Sequence, residues 1–277
     1  MSHPVIFDRA LLRARRARAA QLGAETFLID RVAEDLAVRL SAVLRRFDVA
    51  ADVGTPTDAV RRAMAGRVGT VVAVDPGAQG DKALTVAADE EALPFRDGSL
   101  DLAVSALALQ FVNDLPGTLI QIRRALKPDG LFLAALIGGD SLAELRAAFA
   151  QAESEVEGGV SPRVAPFADL RDLGALLQRA GFALPVTDID RVTVRYSSPL
   201  SLMHDLRRMG ATNVLTERRR KPLRRATLQR LFEIYADRFA DADGRIRATF
   251  EIVWLSGWAP HESQQQPLKP GSAKASL

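Results

Sequence analysis

The chain of 277 residues has no cysteine, three histidines, two tryptophans and two tyrosines. Without cysteine there are no disulfides, no thiolate metal sites and no cysteine nucleophile. His3, His204 and His261 lie far apart and form no His-x-Asp/Glu pair, so neither a Ser-His-Asp triad nor a two-histidine iron site is expected, and no metal is assigned. Long apolar runs are missing as well: none approaches the ~18–20 residues that cross a bilayer. Met1 to Asp8 lacks the apolar core of a secretory signal. An excess of one charge is also absent, since 37 basic and 34 acidic residues leave a formal +3, too little to argue for nucleic acid. What remains, 48% hydrophobic and 26% charged residues, is the composition of an ordinary soluble globular protein with a large core.

Hydrophobic spacing predicts helices over 9–22 and 26–46, the second with Leu28, Val32, Leu36, Leu40 and Leu44 in one stripe. Strands follow at Phe47 to Val53, at Val68 to Val74 (continuously apolar, hence expected to be buried on both faces), at Leu84 to Ala87 and at Leu100 to Ala106. Asp114 is placed to cap a helix carrying Leu119, Ile122 and Leu126 on one face, and Lys127-Pro128-Asp129-Gly130 reads as a turn before a strand over Leu131 to Ile137. Ser141 and Glu144 have capping-box spacing. A helix over Ala168 to Ala180 and strands over Val186 to Tyr196 and Ala248 to Trp258 complete the pattern. Alternating apolar strands and helices predict an α/β fold with a doubly wound parallel sheet. The expected organisation is an N-terminal helical segment over 1–46, a core over 47–258 with a helical insertion at 197–246 before the last strand, and a polar, loosely ordered tail over 259–277.

The first strand runs into Asp52-Val53-Gly54-Thr55-Pro56-Thr57-Asp58, where an α/β sheet places a cofactor-binding turn. Such a turn usually carries several glycines, and here Gly54 stands alone. Thr55, Pro56 and Asp58 suit a helix start, with Thr55 as cap, Pro56 at the first position and Asp58 at the capping-box acid. Asp75 ends the second strand about 20 residues after Gly54, the spacing of a ribose-binding acid. Asp89-Glu90-Glu91 follows the third strand, and Ser105, Ala106, Gln110, Phe111, Asn113 and Asp114 cluster at and beyond the end of the fourth.

Further segments bring a family into view: Ile6 to Leu11, Ala88 to Glu91, Leu93-Pro94-Phe95, Phe111 to Pro116, Leu126 to Gly130, Gly138 to Leu142 with Glu144-Leu145-Arg146, Glu157-Gly158-Gly159 with Ser161-Pro162, and Gly257-Trp258 followed by His261 to Gln264. Together they resemble the class I S-adenosylmethionine-dependent methyltransferases, and within them the methyltransferase-like assembly factors of respiratory complex I, of protein-arginine hydroxylase type. Ser105 to Phe111 is similar, more distantly, to the biotin-pathway methyltransferases acting on a malonyl carrier protein.

The resemblance implies a Rossmann-like sheet and S-adenosylmethionine as cofactor. Asp52 and Gly54 would form its turn, Asp75 would hold the ribose, Asp89 and Glu90 the adenine, and Ser105 and Ala106 the sulfonium region. Phe111 would wall the substrate side, and Gln110, Asn113 and Asp114 are the candidate catalytic groups. The implied substrate is a protein, an arginine of a complex I subunit, in a bacterial cytoplasmic protein that can also sit at the inner membrane. The family pattern begins at Ile6, which leaves no room for a transit peptide. Pro56 and Asp58 replace the second and third glycines of the family turn, Pro56 removing an N–H and Asp58 adding charge near the cofactor's carboxylate. An assembly or binding protein on a degenerate methyltransferase scaffold therefore stays open, as does a small-molecule or carrier-protein methyltransferase. The run Arg218 to Arg225 in the insertion fits an anionic membrane or acidic protein surface better than nucleic acid, because no aromatics interleave it.

Overall fold

The computed structural model describes residues 4–77 and 84–265. Two helices, α1 (Arg9–Gln21) and α2 (Phe27–Ser41), precede strand β1 (Phe47–Val53). The chain continues through α3 (Ala59–Met64), β2 (Val68–Val74), β3 (Thr85–Val86), β4 (Leu100–Ala106), α4 (Leu115–Ala125), β5 (Leu126–Ile137), α5 (Ala143–Glu157), α6 (Leu170–Arg179), β6 (Ala183–Tyr196), α7 (Pro199–Arg208), α8 (Arg225–Phe239) and β7 (Ile246–Trp258). One seven-stranded sheet runs β3-β2-β1-β4-β5-β7-β6, with β1 to β5 parallel and β7 antiparallel to both neighbours. The helical insertion α7–α8 lies between the last two strands, as the change of pattern after Tyr196 predicts.

Two apolar layers sandwich the sheet. One joins α2, α5, α7 and α8 through Leu36, Ala148, Leu202, Leu231 and Trp254, and the other joins α4 and α6 through Leu119, Ile122, Leu173 and Leu177. Strand order reverses between β1 and β4, which opens a crevice at their carboxyl ends.

Several local expectations are corrected. Helix α2 stops at Ser41, so Leu44 leaves the stripe and is fully exposed. Only Ala73 and Val74 of β2 are buried, because two-residue β3 pairs with those positions alone and leaves the rest of β2 as a sheet edge. Lys127 to Gly130 is an irregularity inside β5, where the register to β4 jumps and Asp129 adopts φ +62°. The Ser141–Glu144 capping box does not form. Ser141 Oγ instead bonds the backbone of Glu251 and the Glu144 carboxylate accepts from Thr249, so both tie the start of α5 to β7. Ala259 to Gln264 is held rather than loose, since Gln264 Nε2 donates to Asp129 Oδ1 (2.9 Å) and to the Ala259 carbonyl (2.8 Å). Residues 266–277 of the expected tail lie outside the described residues.

Candidate active site

The crevice is built from the carboxyl ends of β1, β2 and β4 upward. Gly54 follows β1 at φ +72°, its N–H donating to the Val74 carbonyl at 2.9 Å. A Cβ here would lie 2.7 Å from Glu90 Cγ, so only glycine lets the two chains approach. Asp52 is 1% exposed. Burial raises its carboxyl to a pKa of about 7, against the opposing pull of Thr55 and Arg61. Its Oδ2 accepts from Arg61 Nη1 at 3.2 Å, and its buried Oδ1 has no partner.

The residues after Gly54 do not form the helix start that their types suggest. Thr55 Oγ1 accepts from the Ala106 N–H at 3.1 Å and so stitches the turn to β4, and α3 begins only at Ala59. Asp58 pairs with Arg62 on the exposed side of α3, whereas Pro56 and Thr57 face the crevice. Asp58 is thus exposed, paired with Arg62 and absent from the cleft lining.

The acids expected on the adenosine side lie outside the residues that line the cleft, and α1 meets two of them, Asp89 and Glu90. Asp75 is exposed, with Oδ1 accepting from the Gly77 N–H at 2.8 Å. Glu90 is fully buried and pairs with Arg9, with Arg16 Nη1 3.6 Å from its Oε1. Asp89 receives Arg9 at 2.9 Å and Arg13 at 3.6 Å. Arg9, Arg13 and Arg16 share one face of α1, at spacings of four and three residues in a helix without an acid. Their four- and three-residue spacing is the signal of this face in the sequence.

Beyond β4 the expected residues divide. Ser105 and Ala106 are both fully buried, Ser105 Oγ donating to the Val53 carbonyl at 2.7 Å, so their polar groups are spent inside the sheet. Leu107 and Gln110 line the crevice in their place. Asn113 is a clamp for the N-terminal segment: its Oδ1 accepts from the N–H groups of Ile6 (2.9 Å) and Phe7 (2.8 Å), and its Nδ2 donates to the Phe7 carbonyl. Asp114 caps α4 by accepting from the Gly117 N–H at 2.9 Å. These bonds give Asn113 and Asp114 structural roles. Gln110 stays a candidate catalytic group, because its Nε2 is held by the Leu107 carbonyl at 2.8 Å while its buried Oε1 has no partner.

Phe111 packs edge-on against Phe7, with centroids 5.7 Å apart, and forms one wall of an apolar cleft that is open at its mouth. Pro56, Gln110, Ile137, Leu142 and Phe250 line its floor and sides. The insertion closes it with Met209, Gly210 and Ala211. The basic run is not one surface: Arg218 pairs with Asp8 (3.3 Å), Arg219 with Glu157 and Arg224 with Glu157 (4.0 Å). No group of three or more His, Asp or Glu among the described residues is placed to hold a metal ion.

A family model described as a methyltransferase domain matches residues 51–134. The Danio rerio protein named arginine-hydroxylase NDUFAF5, mitochondrial, is 38% identical over 98% of this chain and 88% of its own length. The Homo sapiens protein of the same name is 38% identical over 98% of this chain and 82% of its own. A malonyl-[acyl-carrier protein] O-methyltransferase from Laribacter hongkongensis is 39% identical over 67% of this chain and 60% of its own length. Among solved structures, a Bacillus halodurans C-125 protein described as a candidate methyltransferase superposes with a TM-score of 0.55 at 18% identity, covering 82% of this chain and 98% of that one, a likeness of fold.

Proposed function

The chain belongs to the NDUFAF5 arginine-hydroxylase family within the S-adenosylmethionine-dependent methyltransferase superfamily, and from that premise we propose that it modifies an arginine side chain of a protein substrate during assembly of respiratory complex I. The observation that carries this reading is similarity at 38% identity along 98% of the chain, insertion included. The malonyl carrier-protein enzymes match two thirds of it.

The residues present fit S-adenosylmethionine. Asp75 has an exposed carboxylate for the ribose diol, and Glu90 Oε1 and Asp52 Oδ1 are buried acceptors without hydrogen-bond partners, with Glu90 packed into the space that Gly54 leaves at the turn. Arg16, on the cleft wall, offers a cation for the methionine carboxylate. When bound, the cofactor supplies a methyl group activated on a sulfonium. The chain's own part is alignment and exclusion of water. Gln110 Oε1 is an acceptor for a guanidinium N–H, and Phe111, Leu142 and Phe250 hold the aliphatic stem.

The test is peptide mass spectrometry of complex I subunits from cells with and without the gene. The reading expects one arginine-containing peptide that is heavier by one oxygen, or by one methylene, only when the gene is present. Identical arginine peptides in both strains would falsify it.

A further inference from the structure

The cleft has a second branch that the cofactor does not explain. It shares Phe111, Leu142 and Phe167 with the main cleft and runs outward to Arg207, Thr212 and Asn213, where α1, α7 and the 209–221 segment meet. Cations crowd this mouth. Arg15 donates to the Asn213 carbonyl, Arg207 lines the opening, and Arg218 donates to the Leu215 carbonyl at 2.8 Å. Burial lowers the Arg15 pKa, and so do the nearby charges of Arg218, Arg18 and Arg207, which marks mutual repulsion. Arg18, Arg207, Arg220 and Lys221 are exposed and have no ion-pair partner among the described residues.

Two of the neighbouring acids are already engaged. Asp8 caps α1 through the Leu11 N–H and pairs with Arg218, and Glu25 pairs with Arg208 at 3.3 Å. Glu217 is the one acid of the 209–221 segment. Like charges gathered without counter-charges oppose folding, and an anionic partner relieves that opposition. We propose that this mouth is a docking surface for an acidic stretch of polypeptide, whose carboxylates engage Arg18, Arg207, Arg220 and Lys221 while a neighbouring side chain enters the apolar branch. The inference rests on the reading of a protein substrate and adds the charge of the sequence around the modified residue. A peptide suits the mouth better than a lipid surface does, because Arg207 lines an apolar branch that shares Phe111 and Leu142 with the cleft holding Gln110, and an extended chain can deliver a side chain down that branch.

The experiment measures fluorescence anisotropy of the full chain with a labelled glutamate-rich peptide carrying one central arginine. The expected result is binding that Arg18→Glu/Arg207→Glu weakens by about tenfold or more, that Arg18→Gln/Arg207→Gln weakens less, and that ~0.5 M salt abolishes. Arg171→Glu/Arg179→Glu, on α6 in the opposite layer, changes net charge equally and is expected to leave binding within about twofold. Equal losses in the rim and α6 variants would overturn the proposal. So would loss of phosphatidylglycerol-vesicle or single-stranded DNA binding in the rim variant with peptide binding unchanged. No catalysis enters this test: if arginine modification persists in cells carrying the rim variant and peptide binding is unchanged, the docking surface alone falls. If the peptide docks as expected and no arginine is modified, the enzymatic reading falls and the surface stands.

Discussion

Gly54→Ala tests the crevice at its tightest point. Two costs act together. The backbone at φ +72° lies in the left-handed region, where a Cβ costs about 1–2 kcal/mol. The new Cβ would also lie 2.7 Å from Cγ and 2.9 Å from Cδ of Glu90, a side chain that is fully buried and held by Arg9 and Arg16. Moving Glu90 weakens a buried charge-assisted bond, worth about 1–3 kcal/mol. The sum is roughly 2–5 kcal/mol, a large share of the ~5–15 kcal/mol that holds a typical domain. Gly66→Ala is the internal control. Gly66 sits at φ +77° with nothing within 4 Å of its Cβ position, so it carries the backbone cost alone, about 1–2 kcal/mol. Urea unfolding of both variants is expected to show Gly54→Ala losing at least ~1 kcal/mol more than Gly66→Ala at unchanged m-value. Equal losses would mean that Glu90 does not press on the turn, and the packing of α1 over the crevice would have to be redrawn.

Three further outcomes follow from the same contacts. Asp52 has a folded-state pKa raised from 3.8 to about 7, so the native state binds its proton more tightly than the unfolded chain does. The stability tied to that proton is complete below pH ~4 and is lost as pH rises through ~7, amounting to a few kcal/mol in order of magnitude; in Asp52→Asn this falling limb is expected to vanish from a stability-versus-pH series. Arg9→Met removes a partner of fully buried Glu90 and is expected to cost about 2–4 kcal/mol in urea unfolding, with Glu90→Gln in the same background restoring part of it. Asp58→Ala is expected to leave S-adenosylmethionine affinity within about threefold by calorimetry, since the exposed carboxylate already pairs with Arg62 and does not line the cleft; a tenfold gain would show that its charge does reach the cofactor.

Sheet and helix order were legible because they rest on local patterns: the apolar runs at Phe47 to Val53 and Leu100 to Ala106 became strands with those bounds. Where local chemistry competed with distant partners, the distant partners won. Thr55 and Ser141 have the residue type and spacing of helix caps, yet Thr55 bonds Ala106 on β4 and Ser141 bonds Glu251 on β7, pairings that no local window contains. Asn113 reads as a polar group poised at a crevice until the N-terminal segment, more than 100 residues away in sequence, is seen to occupy it. The basic run shows the same limit, since Arg218, Arg219 and Arg224 turn to acids at Asp8 and Glu157 and leave a different set of cations without an ion pair among the described residues. Gln110 is a candidate by its position after the fourth strand, and only the fold shows that its buried Oε1 has no hydrogen-bond partner.

Whether the turn with Pro56 in place of glycine holds its cofactor is the point on which the account rests most directly. Isothermal titration of the purified full chain with S-adenosylmethionine, repeated with Asp75→Asn, decides it. The account predicts saturable binding at one site per chain, weakened about tenfold or more when Asp75 loses its charge-assisted bonds to the ribose. Absence of any saturable heat up to millimolar ligand, or equal affinity in both proteins, would contradict it.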